Sequence, residues 1–315
     1  MKFPQDLHWL LNRSLCYQAE MSLCRKLLFL VFVLFSLGSL HAQEHPDWIT
    51  PVAPFRIAGN LYYVGSRDLA AYLVVTPAGD ILINSNLASS PPLIRHSVEQ
   101  LGFHFSDIKI LLISHAHSDH AGGSAAILKQ TGAKYMVMDA DVPLIKDGGR
   151  SDFAYGGPQL MPPAHVDRVL HDGDEVRLGG SVLVAHKTAG HTRGTTTWTM
   201  RVQDDGKTRD VVIVGGWSVL SEYRLVATAK QPASYPGIAR DYAHTFDVLR
   251  SLPCDIFLGA HGLYFGMLDK LALVPKQGAA VWIDPAGYKS SVLEEQKDFE
   301  DKLAKQKAEA GKPKP

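Results

Sequence analysis

The chain has 315 residues, of which 46% are hydrophobic and 20% are charged, and its formal net charge at pH 7 is +0. This length is enough for one large domain or two small ones, and the apolar content is sufficient for a buried core. The charge balance excludes a strongly basic nucleic-acid-binding protein, and no block of like charges indicates a solvated tail. We therefore expect no nucleic-acid partner.

The first 42 residues have the pattern of a secretory signal peptide. Arg25 and Lys26 precede an apolar run over residues 27–35, and residues 40–42 end in a small side chain before a polar sequence. The apolar run is short for a membrane span, which needs about 20 residues; an uncleaved anchor is the alternative. We expect cleavage after residue 42, no membrane contact afterwards, and a periplasmic or secreted protein whose single domain covers residues 43–315.

Short apolar, β-prone runs alternate with turns and amphipathic helical segments along the rest of the chain. The predicted strands cover residues 61–64, 71–75, 81–83, 108–113, 135–138, 166–170, 175–178, 181–186, 195–202, 211–214 and 255–258. The predicted helices cover residues 92–101, 124–130 and 240–252, and the polar segment 290–315 is expected to form a helical tail. A loop rich in glycine, proline and aspartate covers residues 146–164. Strands and helices occur in both halves without a linker, which favours one layered α/β domain.

The strongest chemical signal is a run of four metal-ligating side chains within six residues, namely His115, His117, Asp119 and His120. The run follows the buried strand at residues 108–113 and opens into glycine, so it lies at a strand end, where sheet-based folds place their sites. Two more histidines, His191 and His261, follow β-type segments and stand beside glycines, which let the backbone approach a metal ion. These six side chains are the candidate metal ligands.

Ligands this close in sequence cannot all reach one ion without crowding. Zinc takes imidazole nitrogen and carboxylate oxygen at about 2.0–2.2 Å, and two ions about 3.5–4 Å apart would accommodate the set. We therefore predict a site for two Zn²⁺ ions. The alternative, an ordinary polar loop, would require six metal-ligating side chains to occur in this pattern by chance. Four other histidines have no such spacing and are expected to be core, surface or supporting residues: His165, His171, His186 and His244.

These residues resemble the metallo-β-lactamase superfamily, whose αββα sandwich carries the signature His-x-His-x-Asp-His. The resemblance spans roughly residues 55–290 and is closest to the subclass B3 β-lactamases. The supporting segments are residues 114–123, 161–164, 167–168, 188–192, 197–199, 252–255 and 283–288. The resemblance implies a four-layer αββα sandwich in a single domain.

The resemblance also implies how the ligands divide between the metals. The first zinc would be held by His115, His117 and His191, and the second by Asp119, His120 and His261. Relatives of the glyoxalase II type carry an aspartate that bridges the metals, but the corresponding segment here, residues 214–218, has no carboxylate. Subclasses B1 and B2 place a cysteine at the second metal, whereas Cys254 lies on a different strand. Among these types of relative, the resemblance is therefore to the ligand arrangement of subclass B3.

The sequence departs from that family at several positions. The family commonly has Asp-Gly-Gly where this chain has Asn84, Ser85 and Asn86, and proline is usual at the position of Arg193. The Ser-x-Ser pattern that binds the substrate carboxylate in some subclass B3 enzymes is not intact. The hydroxyls best placed to serve as the carboxylate anchor are Ser218 and Ser221, and a plain loop hydroxyl is the alternative for each.

The resemblance implies hydrolysis of the amide bond of a β-lactam antibiotic by a metal-bound hydroxide. In that mechanism Asp119 both ligates zinc and orients the hydroxide, and no serine nucleophile is needed; the chain has no Gly-x-Ser-x-Gly motif. A lactonase or thioesterase of the same fold is the alternative, because fold and metals are shared, and a non-enzymatic zinc-binding protein is the third. We expect a small-molecule substrate and a monomer.

Overall fold

The computed structural model describes residues 45–157 and 160–311; the predicted signal peptide and its cleavage point lie outside them. Twelve strands occur in this part of the chain: β1 Phe55–Ala58, β2 Leu61–Tyr63, β3 Tyr72–Val74, β4 Asp80–Ile83, β5 Ile108–Leu112, β6 Lys134–Met138, β7 Arg168–Leu170, β8 Glu175–Leu178, β9 Ser181–Lys187, β10 Thr196–Asp204, β11 Lys207–Val214 and β12 Ile256–Gly259. The α-helices are α1 Pro46–Ile49, α2 Pro91–Gln100, α3 Ser118–Ala121, α4 Ser124–Thr131, α5 Val142–Asp147, α6 Ile238–Ser251, α7 Met267–Gln277 and α8 Pro285–Ala310. Short 3-10 helices cover Phe105–Asp107, Asp139–Asp141, Gly262–Phe265 and Gly278–Trp282.

The strands form two sheets. The first holds β1 to β7 in sequence order, antiparallel from β1 to β4 and parallel from β4 to β7. The second has the order β12-β11-β10-β9-β8, and only its β11–β12 pair is parallel. Because β4 and β5 run in the same direction, with Ile83 opposite Leu112, the loops that follow them lie side by side. This pairing brings the segment that begins at Asn84 next to the histidine-rich run.

Alternating burial along the strands builds two hydrophobic layers. On β5, Ile110 and Leu112 enter the core that both sheets share, whereas Leu111 packs into the separate core with α2, α4 and α5. Beyond the second sheet, the ring of Tyr288 on α8 lies 5.3 Å from the ring of Phe257 on β12. The order is therefore helices, sheet, sheet, helices, which confirms the predicted αββα sandwich.

Most predicted elements agree with the structure to within a few residues, and five were missed, namely β1, α1, α3, α5 and α7. Strand β1 and helix α5 have short sequences with weak periodicity, and α7 contains Pro275, so local propensity argued against a helix there. The predicted 146–164 loop begins inside the last turn of α5.

The C-terminal helix is longer and better packed than a polar tail would be. It begins at Pro285 rather than at residue 290, with the carboxylate of Asp284 accepting a hydrogen bond from the amide of Gly287 at its first turn. Tyr288, Val292 and Phe299 are buried, and their spacing places them on one face of the helix. In the residues that the structure describes, no helix has the length and apolarity needed to cross a membrane.

Candidate metal centre

The histidine-rich run lies where β5 ends and α3 begins. His115 follows the strand by three residues, and His117 stands at the N-cap of α3 with its carbonyl oxygen accepting from the amides of His120 and Ala121. The tight turn of α3 carries Asp119 and His120 back towards His115, so that the rings of His115 and His120 lie 4.3 Å apart. The compact spacing in the sequence thus becomes a compact cluster of side chains.

All six predicted ligands come together at this end of the sandwich. In the first triad the ligand atoms lie within 4.8 Å of one another and the residues are buried; its members are His115, His117 and His191. His191 arrives on the β9–β10 loop and His261 directly after β12. A second group within the same distance holds the buried His115 and His120 and the half-buried Asp119, so the two groups share His115.

The second triad, which comprises Asp119, His120 and His261, is equally compact. Nε2 of His120 lies 3.2 Å from Oδ2 of Asp119 and 3.2 Å from Nε2 of His261, while that nitrogen of His261 lies 3.6 Å from Oδ2 of Asp119. Three donor atoms therefore face one point. The two triads adjoin, as a centre for two metal ions would require.

Hydrogen bonds fix which nitrogen two of the imidazoles present. Nδ1 of His115 lies 3.0 Å from the carbonyl oxygen of Gly215, and Nδ1 of His191 lies 3.0 Å from that of Ser218. An imidazole that donates from Nδ1 keeps the lone pair on Nε2. Nε2 of His115 is buried and has no hydrogen-bond partner among the described residues. Because buried polar atoms are nearly always satisfied, this nitrogen is suited to a metal ion.

Asp152 orients His117. Its Oδ2 lies 3.2 Å from Nε2 of His117, which leaves Nδ1 for the first triad, and its Oδ1 accepts from the amides of Ala154 and Tyr155. A carboxylate behind a ligating imidazole fixes the ring and raises its basicity. Burial lowers the pKa of His117, but the Asp152 carboxylate outweighs it, so the pKa is raised.

The local electrostatics produce the protonation states that metal ligands need at His115, His191 and Asp119, whereas at His261 the effect of burial is outweighed by Asp119 and Asp68, which raise its pKa to about 9. Burial lowers the pKa of His115 well below its usual value and that of His191 to about 3, so both rings are neutral at pH 7. Burial raises the pKa of Asp119, but His120 and its other histidine neighbours lower it well below the usual value, and the carboxylate is ionised. Neutral imidazoles with one carboxylate are the donor set that zinc-type ions prefer.

The departure at residues 84–86 has a structural explanation. Asn84 and Asn86 have φ values of 70° and 54°, and asparagine is among the few non-glycine residues that adopt this left-handed region readily. The Asn84 amide donates to the carbonyl of Ala70 and accepts from the amide of Ser114, next to His115. Asn84 therefore supports the segment that leads from β5 to His115. Arg193 is exposed, with its guanidinium carbon 4.9 Å from the centre of the Tyr235 ring.

The two serines considered as substrate anchors lie on the loop that follows β11. The carbonyl oxygen of Ser218 accepts from His191 and from the Tyr242 hydroxyl, so this residue is held against the first triad. The Ser221 hydroxyl donates to Oε2 of Glu222 at 3.0 Å. Ser221 is exposed, whereas Ser218 is half-buried.

Three aspartates that support the site had no signal in the sequence. Besides Asp152, they are Asp68, whose carboxylate contacts His261, and Asp141. Asp141 is buried and accepts from the amides of Ala116 and Gly194, so it joins the histidine-rich run to the β9–β10 loop. Asp68 and Asp152 reach their ligands from loops at no characteristic spacing, and Asp141 lies in the 3-10 helix Asp139–Asp141. Only the position of Asp141, shortly after a predicted strand end, could have marked it.

Comparisons with known proteins agree with this geometry. The family model of the metallo-beta-lactamase superfamily matches residues 67–261. The native FEZ-1 metallo-beta-lactamase from Legionella gormanii is 52% identical, covers 82% of this chain and 98% of its own, and superposes with a TM-score of 0.79. BJP-1, a subclass B3 metallo-beta-lactamase of Bradyrhizobium japonicum, is 36% identical, with coverage of 84% and 98% and a TM-score of 0.77.

Curated relatives match over a shorter stretch. A UPF0173 metal-dependent hydrolase from Anaeromyxobacter dehalogenans is 32% identical over 127 residues, which are 40% of this chain and 42% of the relative. The chain thus spans about two fifths of the length of that curated relative, whereas it spans nearly the whole of the solved structures.

Proposed function

The chain belongs to the metallo-β-lactamase superfamily, and from this premise we propose that it is a secreted dizinc hydrolase that opens the amide bond of β-lactam antibiotics. The observation that carries the proposal is the pair of adjoining triads, whose donors are five imidazoles and one carboxylate. Secretion rests on the signal-peptide pattern of the first 42 residues. The likeness to FEZ-1 and BJP-1 over nearly their whole length supports the choice of substrate.

The side chains of the site have distinct roles in this reaction. Two zinc ions held here would supply a water of lowered pKa and an electrophile for the lactam carbonyl. Asp119, ionised and in contact with both His120 and His261, is placed to orient the attacking water. The imidazoles keep their positions through bonds to Gly215, Ser218 and the supporting aspartates.

The principal alternative is a lactonase or thioesterase of the same fold. Such relatives of the glyoxalase II type need an aspartate between the metals on the segment after β11, which here contains Gly215 and Gly216. A Cβ on Gly215 would collide with the carbonyl oxygen of Thr196, and one on Gly216 would lie 3.1 Å from the His191 ring. The packing at these two positions therefore favours the β-lactamase over the bridged type of centre.

Turnover of a chromogenic cephalosporin by the purified protein tests the proposal. We expect hydrolysis that is abolished by a chelator, restored by added zinc and insensitive to clavulanate, because no acyl-enzyme forms. His191→Ala should lose activity, whereas His165→Ala, a matched change at an exposed histidine, should retain it. Full activity after verified metal removal would contradict the mechanism. Turnover of a lactone or a thioester but no β-lactam would establish the alternative.

A further inference from the structure

The C-terminal helix α8 holds the loop that follows β11. The side-chain amide of Gln306 donates to the carbonyl oxygen of Tyr223 at 2.8 Å, and its Oε1 accepts from the amides of Leu225 at 2.7 Å and Val226 at 3.3 Å. One side chain thus binds three backbone groups of a loop that has no regular secondary structure. Gln306 is half-buried, which limits competition from water.

A second side chain on the same helix binds the loop closer to the metal centre. Lys302 Nζ, one helical turn before Gln306, donates to the carbonyl oxygen of Val219 at 2.9 Å and to that of Leu220. Residues i and i+4 lie on the same face of a helix. The face of α8 that carries Lys302 and Gln306 therefore follows the loop from residue 219 to residue 226.

The bound loop contacts the metal ligand His191 at two points. The hydroxyl of Tyr223 donates to the carbonyl oxygen of His191 at 2.7 Å, and this tyrosine is only 1% exposed. At the other end of the loop, the carbonyl oxygen of Ser218 lies 3.0 Å from Nδ1 of His191. The backbone of the ligand and its imidazole are therefore both held by the segment that Gln306 and Lys302 fix.

We infer that Gln306 is a positioning residue for the metal centre and acts through Tyr223 on His191. It lies 115 residues after His191 in the sequence, near the C-terminal end of helix α8, whose composition is that of a polar tail. Fixing Tyr223 sets the position of its hydroxyl and hence the backbone of His191. The inference rests on the proposed metal site but not on the identity of the substrate, so it can fail or succeed independently of β-lactam turnover.

The test compares Gln306→Ala with a matched control on the same helix, Gln296→Ala. Gln296 also makes two side-chain hydrogen bonds, but to Glu300 and to Arg250 on α6, far along the helix from the loop. Zinc affinity is measured by competition with a chromogenic chelator, and hydrogen exchange is followed at the amides of Leu225 and Val226. Melting of the metal-free proteins reports the loss of general stability.

We expect Gln306→Ala to weaken zinc binding by about 10-fold, at the low end for residues that orient metal ligands because it acts through Tyr223. The two loop amides should exchange faster, and Gln296→Ala should match the wild type in both measurements. Gln306→Glu keeps the acceptor for Leu225 and Val226 but loses the donor to Tyr223. It should therefore restore protection at the two amides while zinc affinity recovers only in part.

Two results would overturn the inference. Either wild-type zinc affinity in Gln306→Ala despite faster exchange, or an equal loss of affinity in Gln296→Ala, would show that the contact does not reach His191. If Gln306→Ala does not fold, Gln306→Glu decides by the same two measurements. A protein that loses zinc affinity as expected but hydrolyses no β-lactam would contradict the proposed substrate and leave this inference standing.

Discussion

Asp68 holds His261 in place across 193 residues of sequence, with Oδ2 of the carboxylate 2.9 Å from Nδ1 of the imidazole. The same carboxylate accepts from the amide of Leu263 at 3.0 Å and from the indole of Trp48 at 3.1 Å. With Nδ1 engaged, Nε2 of His261 is the nitrogen turned towards Asp119 and His120. The orientation of the last proposed metal ligand is thus set by a residue outside the signature.

We expect Asp68→Asn to weaken binding of the second metal ion. A neutral amide oxygen supports the imidazole less strongly than a carboxylate, and losses of supporting partners cost about 10–100-fold in metal affinity. Zinc titration against a competing chelator measures the effect. Asp47→Asn, which removes an exposed ion pair with Arg67, is the matched control. Two-step zinc binding identical to the wild type in Asp68→Asn would show that His261 does not depend on Asp68.

We expect Asp119→Asn to lower kcat far more than Asn84→Asp. Asp119 touches two other ligands and is placed to orient the attacking water, so its loss should exceed the 10–100-fold that is typical of supporting positions. Asn84→Asp removes the donor to the Ala70 carbonyl and keeps the acceptor for Ser114, which affects stability first. Steady-state kinetics at saturating zinc measures both variants. Equal losses in kcat would refute the division of roles.

Four of the six proposed metal ligands could be recognised in the sequence because they lie in a local pattern at the end of one strand. The spacing of the run from His115 to His120 alone indicates metal binding, and β5 is apolar except for the exposed Lys109. Asp68 and Asp152 were not predictable, since they reach the site from loops whose positions depend on how the whole sheet packs. An isolated aspartate in a loop has no periodicity that could reveal its partner.

The C-terminal segment shows a different kind of omission. Its composition indicated a polar helix, and the structure does contain one, yet the buried face was present in the sequence at Tyr288, Val292 and Phe299. Spacings of four and seven residues define one helical face. What could not be predicted is the contact of Gln306 with Tyr223 and its neighbours, because a polar residue on a polar face has the same pattern whether or not it binds a loop.

We expect Glu295→Gln to raise thermal stability at alkaline pH and not at acidic pH. Burial, with Asp298 and Glu294 nearby, raises the pKa of Glu295 to about 7, above the value of about 4.3 for an unfolded glutamate. The folded protein therefore binds this proton more tightly, and the stability that it contributes is present below about pH 4 and is lost as pH rises towards 7.

The melting temperatures of both proteins between pH 4 and pH 8 test this expectation. The variant should be the more stable at pH 8, and the difference should vanish or reverse near pH 4. Glu309→Gln, at an exposed position on the same helix, should follow the wild-type profile throughout. A difference between Glu295→Gln and the wild type that does not change with pH would indicate a packing effect rather than a titration.

We expect Ser221 to bind the carboxylate of a β-lactam substrate. Ser221 is the exposed hydroxyl of the pair, but it already donates to Glu222; a substrate carboxylate must compete with that acceptor. A hydrogen bond to a charged group contributes about 1.5–3 kcal/mol, so Ser221→Ala should raise KM about 10-fold or more with a smaller effect on kcat. Glu222→Gln should lower KM, because it removes a like charge and leaves only a weaker, neutral acceptor to compete for the Ser221 hydroxyl. The same kinetics are measured for Ser218→Ala and for the double serine variant. An unchanged KM in all three serine variants would show that the substrate carboxylate is bound by zinc, by water or by the 146–164 loop instead.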